Sequence, residues 1–426
     1  MKYKYCYCYK IIIIIIFINS ENLSNKILRS CYFNFVNSLK NKHITSLSQL
    51  IIELNKNMEF RNPKYIIFAD NIYNKYCSDI NAFTIFEYYI HNNLSNALYI
   101  INVESDLYKY LYANNKTKNL ILFRKKINYT YFFKFLLDTE ILVLSYNNNI
   151  FIKLINEVSF LKYLYINHGI TYFKSDLILP ELRNINISKR NIIASSKFEY
   201  RILIKKFNYS KEYVHKAGLP RYELYNRIKP NISDKKCILS FFTYRHFNKS
   251  IFKKSLYKIN IVKLINDKLL IKYLKRRNIE LVFVQHHLDL KNKKNYKRHF
   301  LRNVKLINHF NITYYITKCS LFITDFSSIS FAFMFQNKPA LFYLIDFQDK
   351  NNTYEKNCFR INDPLQFSNY FLNKNELINK IKYYIDNNFQ ISKELKRKYE
   401  SIFYYRHNIT KRIYQRINKI IKGNNS

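Results

Sequence analysis

Glycine is nearly missing from this chain: it occurs three times, at 169, 218 and 423, where ordinary usage would give roughly 30. A sequence this short of glycine keeps it where φ > 0 or where a close backbone approach leaves no room for a side chain. That singles out NHGI (167–170) and AGLPR (217–221). Acidic residues are scarce too, 29 against 71 Lys and Arg, a formal charge of +42. The seven cysteines, at 6, 8, 31, 77, 237, 319 and 358, lack paired metal spacing, because Cys6 and Cys8 have no second pair to complete a zinc site. Reduced thiols are the expectation. The apolar run Ile11 to Ile18 is eight residues long, short of the roughly 20 that span a bilayer, and no small-residue cleavage site follows it. It reads as an interfacial anchor or a buried strand. No internal repeat of fixed period is present.

What is there suits a large folded protein. Hydrophobic residues make up 48% of the 426, which argues against disorder and for two lobes of roughly 150 to 200 residues each. Crowding of Ile, Lys, Asn, Tyr and Phe, as A/T-rich codons produce, accounts for part of the positive excess. The remainder draws the protein to polyanions such as phosphates, nucleic acid or anionic lipid.

From Lys64 onward, short apolar runs alternate with helical stretches. The runs are YIIFAD (65–70), ALYIINV (97–103), LILF (120–123), ILVLS (141–145), YLYIN (163–167) and IIAS (192–195), with helices around 82–91, 131–137 and 198–207. A charged stretch with Pro230, from Tyr225 to Lys236, reads as a linker. The pattern then restarts with CILSFF (237–242), LVFVQ (281–285), LFIT (321–324) and ALFYLI (340–345), a helix near 261–275, and closing helices around 376–385, 393–403 and 410–421. Such alternation predicts parallel sheets with covering helices. The expected organisation is an N-terminal extension (1–58), an acceptor-side lobe (59–228) and a nucleotide-binding lobe (229–426).

His168 follows a predicted strand directly and should project from a carboxyl edge, where open α/β sheets bind ligands. An imidazole there suits a general base, and a hydrogen-bonded structural histidine fits equally. Ser327 and Ser328, after LFITD, fall at the predicted start of a helix; they suit phosphate binding, although ordinary N-capping is the commoner use of such hydroxyls. Asp325 at the strand end orients these groups or serves the turn. Arg245 ends the strand of FFTYR, and His286 and His287 end LVFVQ, of which at most one faces a cleft because neighbours on a strand alternate sides. These are donors of the kind a transferring phosphoryl group needs.

NHGI, AGLPRYELY, FFTYR, QHHL and ITDFSS, in this order, resemble the CDP-glycerol glycerophosphotransferases, the family of teichoic acid primases and polymerases. YCSDINAFTIFEYY (76–89) is similar to that family's segment before a helix, and the likeness runs from about 64 to 415. The resemblance implies a GT-B-like α/β fold, two Rossmann-type lobes facing a cleft, with a helical N-terminal extension and C-terminal helices. It implies that His168 is the catalytic base, that His287 is a second catalytic histidine, and that Gly169, Lys174, Gly218, Arg221, Arg245, Asp325, Ser327 and Ser328 bind substrate. No cofactor is implied with certainty, and a divalent cation stays open. The implied partners are CDP-glycerol or a related CDP-polyol, a lipid-linked glycan acceptor and an anionic membrane surface on the cytoplasmic side, with no specific nucleic acid. Ile170, Phe242, Leu288 and Ala332 depart from the family's pattern, which leaves CDP-ribitol open as donor. A GT-B nucleotide-sugar glycosyltransferase and a basic nucleic-acid binder remain as other readings. Against the last, the basic and aromatic residues are spread along the whole chain and no recognition module appears.

Overall fold

The computed structural model describes residues 44–72, 80–123, 129–146, 149–170, 191–227, 236–243, 245, 255–285, 304–308, 312–346 and 370–423. The Ile11 to Ile18 run, Lys174, His286 and His287 lie outside them. Contacts divide the chain into two units, Met1–Asn62 with Asn128–Leu137, and Pro63–Ile127 with Asp138–Ser426. In the smaller unit, helix α1 (Leu47–Lys56) is capped by Ser46, whose Oγ accepts from Gln49 N at 3.2 Å. It buries Leu50, Ile51 and Leu54 on one stripe. The same unit also holds α4 (Tyr129–Leu137), which buries Phe132, Phe133, Leu136 and Leu137.

The larger unit holds two parallel sheets. The first comprises β1 (Tyr65–Ala69), β2 (Ala97–Asn102), β3 (Leu120–Phe123), β4 (Thr139–Leu144), β5 (Lys162–Ile166), β6 (Ile192–Ala194) and β7 (Val214–Lys216), in the order β3-β2-β1-β4-β5-β6-β7. Its connecting helices in this unit are α2 (Asn81–His91), α3 (Asp106–Ala113), α5 (Asn149–Glu157) and α6 (Lys197–Lys205), and α7 (Pro220–Arg227) follows β7. The second sheet comprises β8 (Cys237–Ser240), β9 (Glu280–Gln285), β10 (Val304–Asn308), β11 (Leu321–Thr324), β12 (Ala340–Tyr343) and β13 (Tyr370–Phe371), in the order β10-β9-β8-β11-β12-β13. Helices α8 (Leu256–Ile265), α9 (Lys268–Arg276), α10 (Ile312–Lys318) and α11 (Ser330–Phe335) lie between its strands in sequence, and α12 (Lys374–Asp386), α13 (Lys393–Ile402) and α14 (Ile409–Ile421) close the chain. Strands buried on both faces read as continuous apolar runs, which is why the central ones were legible. Each sheet reverses strand order once, between β1 and β4 and between β8 and β11. Ligands of open α/β sheets bind outside such reversals, at the carboxyl ends of the strands.

The near-absence of glycine has a structural counterpart. Asn93, Asn115, Asn119, Asn208, Asn278, Asn337, Asn388 and Asn408 all take left-handed φ, between 51° and 69°. Asparagine tolerates that region better than other side chains, so here it fills helix ends that glycine ordinarily fills. Gly218 and Gly169 have no left-handed φ; close approach alone explains them. A Cβ on Gly218 would lie 2.8 Å from Ile409 Cδ1, so this glycine is what lets α14 pack so closely. The Glu223 carboxylate then caps that helix, accepting from Ile409 N (2.6 Å) and from Thr410 N and Oγ1 (3.1 and 2.6 Å).

Two sequence expectations are corrected. Cys237 and Cys319 are joined as a disulfide, not left as thiols. They are 82 positions apart, but pairing of β8 with β11 sets them side by side, and Ser320 N donates to Cys237 O at 2.8 Å. The helix expected to open at Ser327 begins at Ser330, which leaves both serines on the preceding turn.

Burial governs one buried titration. His215 on β7 is 3% exposed, with Nε2 2.8 Å from Asn191 Oδ1. Desolvation, helped by the Arg416 charge, lowers its pKa to about 3. An unfolded histidine titrates near ~6.5, so between these values the unfolded chain binds the additional proton. Stability is therefore complete above that window and falls as pH drops through it, by at most about 1.4 kcal/mol per pH unit. Urea midpoints measured from pH 7 to 4 should fall less steeply in His215→Asn than in wild type.

Candidate active site

At the carboxyl edge of the first sheet, β1 is followed directly by Asp70, 5% exposed. Its oxygens accept from Ala82 N and Phe83 N (each 3.0 Å) and from Tyr99 Oη (2.8 Å), and Ser145 Oγ, just past β4, donates to it as well. The first turn of α2 is thus held by a protein carboxylate, which satisfies amides that have no partner within the helix.

Strand β5 runs into Asn167, His168 and Gly169. Asn167 is buried; its Nδ2 donates to Glu199 Oε1 at 3.1 Å, and its main-chain oxygen accepts from Asn81 Nδ2 at 3.0 Å. Glu199 also accepts from Ser195 N (2.7 Å) and Oγ (2.6 Å). Asn81 Oδ1 accepts in turn from Arg221 N at 3.3 Å. His168, half-buried, lies 6.0 Å from the Tyr146 ring, centroid to centroid. A Cβ on Gly169 would lie 2.9 Å from Ser328 Oγ, 3.3 Å from Ser328 Cβ and 3.7 Å from Arg221 Nη2. The glycine is therefore what lets the turn after β5 meet the turn after β11. His168, Gly169, Arg221 and Ser328 share one neighbourhood, although 159 positions separate Gly169 from Ser328 (328 − 169).

The reversal of the second sheet is built around Asp325, which is fully buried at the end of β11. It accepts from Thr243 N (3.0 and 3.1 Å), Phe326 N (2.7 Å) and Arg245 Nη1 (2.9 Å). Arg245 is 3% exposed; its Nε and Nη2 donate to the two Asp346 oxygens at 2.9 and 2.8 Å, and Nη1 also reaches Thr243 O at 2.9 Å. Phe326 and Tyr257 flank the guanidinium at 4.6 and 4.9 Å. Burial by itself would lower its pKa, but the Asp325 and Asp346 charges outweigh burial and hold it above the ordinary arginine value. Arg245 thus braces two buried carboxylates. Ser327 Oγ accepts from Ile329 N at 3.3 Å, and Ser327 O accepts from Ser330 Oγ at 2.8 Å, so this turn is organised internally.

Asp70, Asn81, Asn167, Glu199 and Asp346 were given no role from the sequence. A signal existed for the acids: YIIFAD, FITD and YLID each carry one of only 29 acidic residues within three positions after a strand. Among the described residues, no group of three or more His, Cys, Asp or Glu side chains could hold a metal ion, and no helix is long and apolar enough to cross a membrane.

Residues 51–419 match the family model described as CDP-Glycerol:Poly(glycerophosphate) glycerophosphotransferase. The chain belongs to this family. Within teichoic acid biosynthesis, it is 27% identical over 287 residues to the minor teichoic acid biosynthesis protein GgaB of Bacillus subtilis (strain 168). That match covers 61% of this chain and 30% of the length of GgaB. The fold is that of the wall teichoic acid polymerase TagF, with a TM-score of 0.62 at 18% identity over 94% of this chain and 99% of that one. A UDP-GlcNAc 2-epimerase from Neisseria meningitidis, bound to UDP-GlcNAc, shares the scaffold with a TM-score of 0.52 at 11% identity, over 83% of this chain and 99% of that one. The two parallel-sheet α/β lobes are thus of the GT-B-like kind implied by the five ordered motifs.

Proposed function

We propose that this protein transfers glycerol phosphate from CDP-glycerol to a hydroxyl of a lipid-linked or cell-surface polyol phosphate or glycan, releasing CMP. The observation that carries this reading is the Gly169 contact, which sets the imidazole-bearing turn of one sheet against the Ser327-Ser328 turn of the other. Support for the donor comes from family membership and from a TagF variant of the same fold that was soaked with CDPG.

In this mechanism, His168 takes the proton of the acceptor hydroxyl as its oxygen attacks the β-phosphorus. The new bond joins acceptor oxygen to phosphorus, the bond from phosphorus to the bridging oxygen breaks, and CMP leaves with that oxygen. Such transfers depend on positioning and charge stabilisation more than on covalent help. Arg221 and the Ser327 and Ser328 hydroxyls supply donors to the diphosphate. Arg245 acts at one remove, since its brace on Asp325 fixes the Thr243 amide at the second reversal. Lys174 and His287 are assigned to the same substrate on the family resemblance. The basic chain docks at an anionic membrane face, each Lys or Arg near the surface contributing about 1 kcal/mol.

Purified protein incubated with labelled CDP-glycerol and lipid-linked acceptors should release CMP in step with product. Absence of CMP from both CDP-glycerol and CDP-ribitol, across a range of acceptors, would remove the proposal.

A further inference from the structure

We infer that Asn81 is a positioning residue, which ties the His168 turn to the Arg221 segment and so sets the geometry between base and cation. The inference rests on the reading of that turn as the reacting centre. Asn81 is fully buried at the first position of α2 and touches two segments remote in sequence. Its Nδ2 donates to the main-chain oxygen of Asn167, one residue before His168, at 3.0 Å. Its Oδ1 accepts from the main-chain N of Arg221 at 3.3 Å. The carbonyl can only accept and the amide N–H can only donate, so the orientation of the Asn81 amide is unambiguous.

The chemistry of the position follows. One short side chain must donate at one end and accept at the other. Aspartate, when ionised, accepts only, and leucine does neither; of near-isosteric side chains, asparagine alone serves both partners. Its support is firm, because Asp70 holds the next two amides of α2, Ala82 N and Phe83 N, each at 3.0 Å. From the other side, Glu199 holds the Asn167 side chain at 3.1 Å. The His168 turn is therefore pinned from α2 and from α6, and the start of α7 is pinned by the same Asn81 amide. Arg221 Nη2 reaches within 3.7 Å of where a Cβ on Gly169 would stand, so a slip of Asn81 would move both groups relative to each other. Misplacement by about 1 Å can lower a rate about 10²-fold.

A double-mutant cycle on CMP release tests this. Asn81→Leu should lower kcat about 10²-fold in protein that still unfolds cooperatively. In the His168→Ala background it should lower kcat no more than about tenfold further, because only its hold on the Arg221 segment is then left to lose. Losses that multiply in the double variant would overturn the inference, as would a kcat near wild type in Asn81→Leu. Should Asn81→Leu fail to fold, Asn81→Ala removes both hydrogen bonds without adding bulk or a buried charge. It should show the same non-additive loss, and a wild-type kcat in that variant is equally contrary. A wild type silent on CDP-polyols, or a fully active His168→Ala, instead strikes the functional reading and this inference with it, and is told apart from failure of the inference by those two controls.

Discussion

His168→Ala is expected to lower CMP release from CDP-glycerol by 10² or more while leaving the fold intact. A positioned general base contributes about 10² to 10⁴ in rate. The imidazole stands at the carboxyl edge of β5, beside the contact of Gly169 with Ser328. His168 is only half-buried, and the turn beneath it is held through Asn167 by Asn81 and Glu199, so truncation of the ring should not collapse the backbone. The loss should fall on kcat more than on the KM for the donor, because in the proposed mechanism the base acts on the acceptor hydroxyl. Steady-state rates at saturating CDP-glycerol measure it. A variant with wild-type kcat would reject His168 as the base.

Arg245→Leu should produce the largest loss of stability in the molecule, about 3 to 5 kcal/mol, which is typical when one member of a buried ionic group is removed. Two carboxylates, Asp325 and Asp346, would then remain buried without their cation, and Nε, Nη1 and Nη2 all serve those acids or Thr243 O. Arg245→Lys should recover little, because an ammonium cannot reproduce the planar fork that meets Asp346 with two bonds. Arg245→Leu combined with Asp325→Asn and Asp346→Asn should regain part of the loss, since neutral amides are far less costly to bury unpaired than carboxylates. Urea unfolding of the three proteins checks this. A loss below about 1 kcal/mol for Arg245→Leu would show that the carboxylates are not held as buried ions.

The sheets were legible because doubly covered strands such as ILVL and LFIT are continuous apolar runs, and because helices with ordinary periodicity separate them. The short strands Val214–Lys216 and Tyr370–Phe371 were not named from the sequence; two or three residues carry no period, and neighbouring strands define them. His168 and Gly169 stood out through their place after a strand. Gly218 stood out in the same way, and its close approach to Ile409 is a contact that only the tertiary neighbour reveals. The two serines were placed one turn too early on a helix, because the main chain after Thr324 first folds back on Asp325 and Ser327 before Ser330 begins the helix. Hydrogen bonds such as those of Asn81 with Asn167 and Arg221 span 86 and 140 positions and leave no local pattern to read. The Cys237–Cys319 pair is legible only after β8 and β11 are known to be neighbours.

The claim on which the account turns is the meeting of the turns after β5 and β11, and a cross-link measures it directly. In protein carrying both Gly169→Cys and Ser328→Cys, the Cβ positions would be 3.3 Å apart, close to the roughly 3.5 to 4.5 Å that a disulfide requires. Mild oxidation followed by proteolysis and peptide mass spectrometry should recover the 169–328 bridge in most of the folded protein, and reduction should remove it. Recovery of both residues as free thiols under conditions that oxidise an exposed control pair would contradict a shared site.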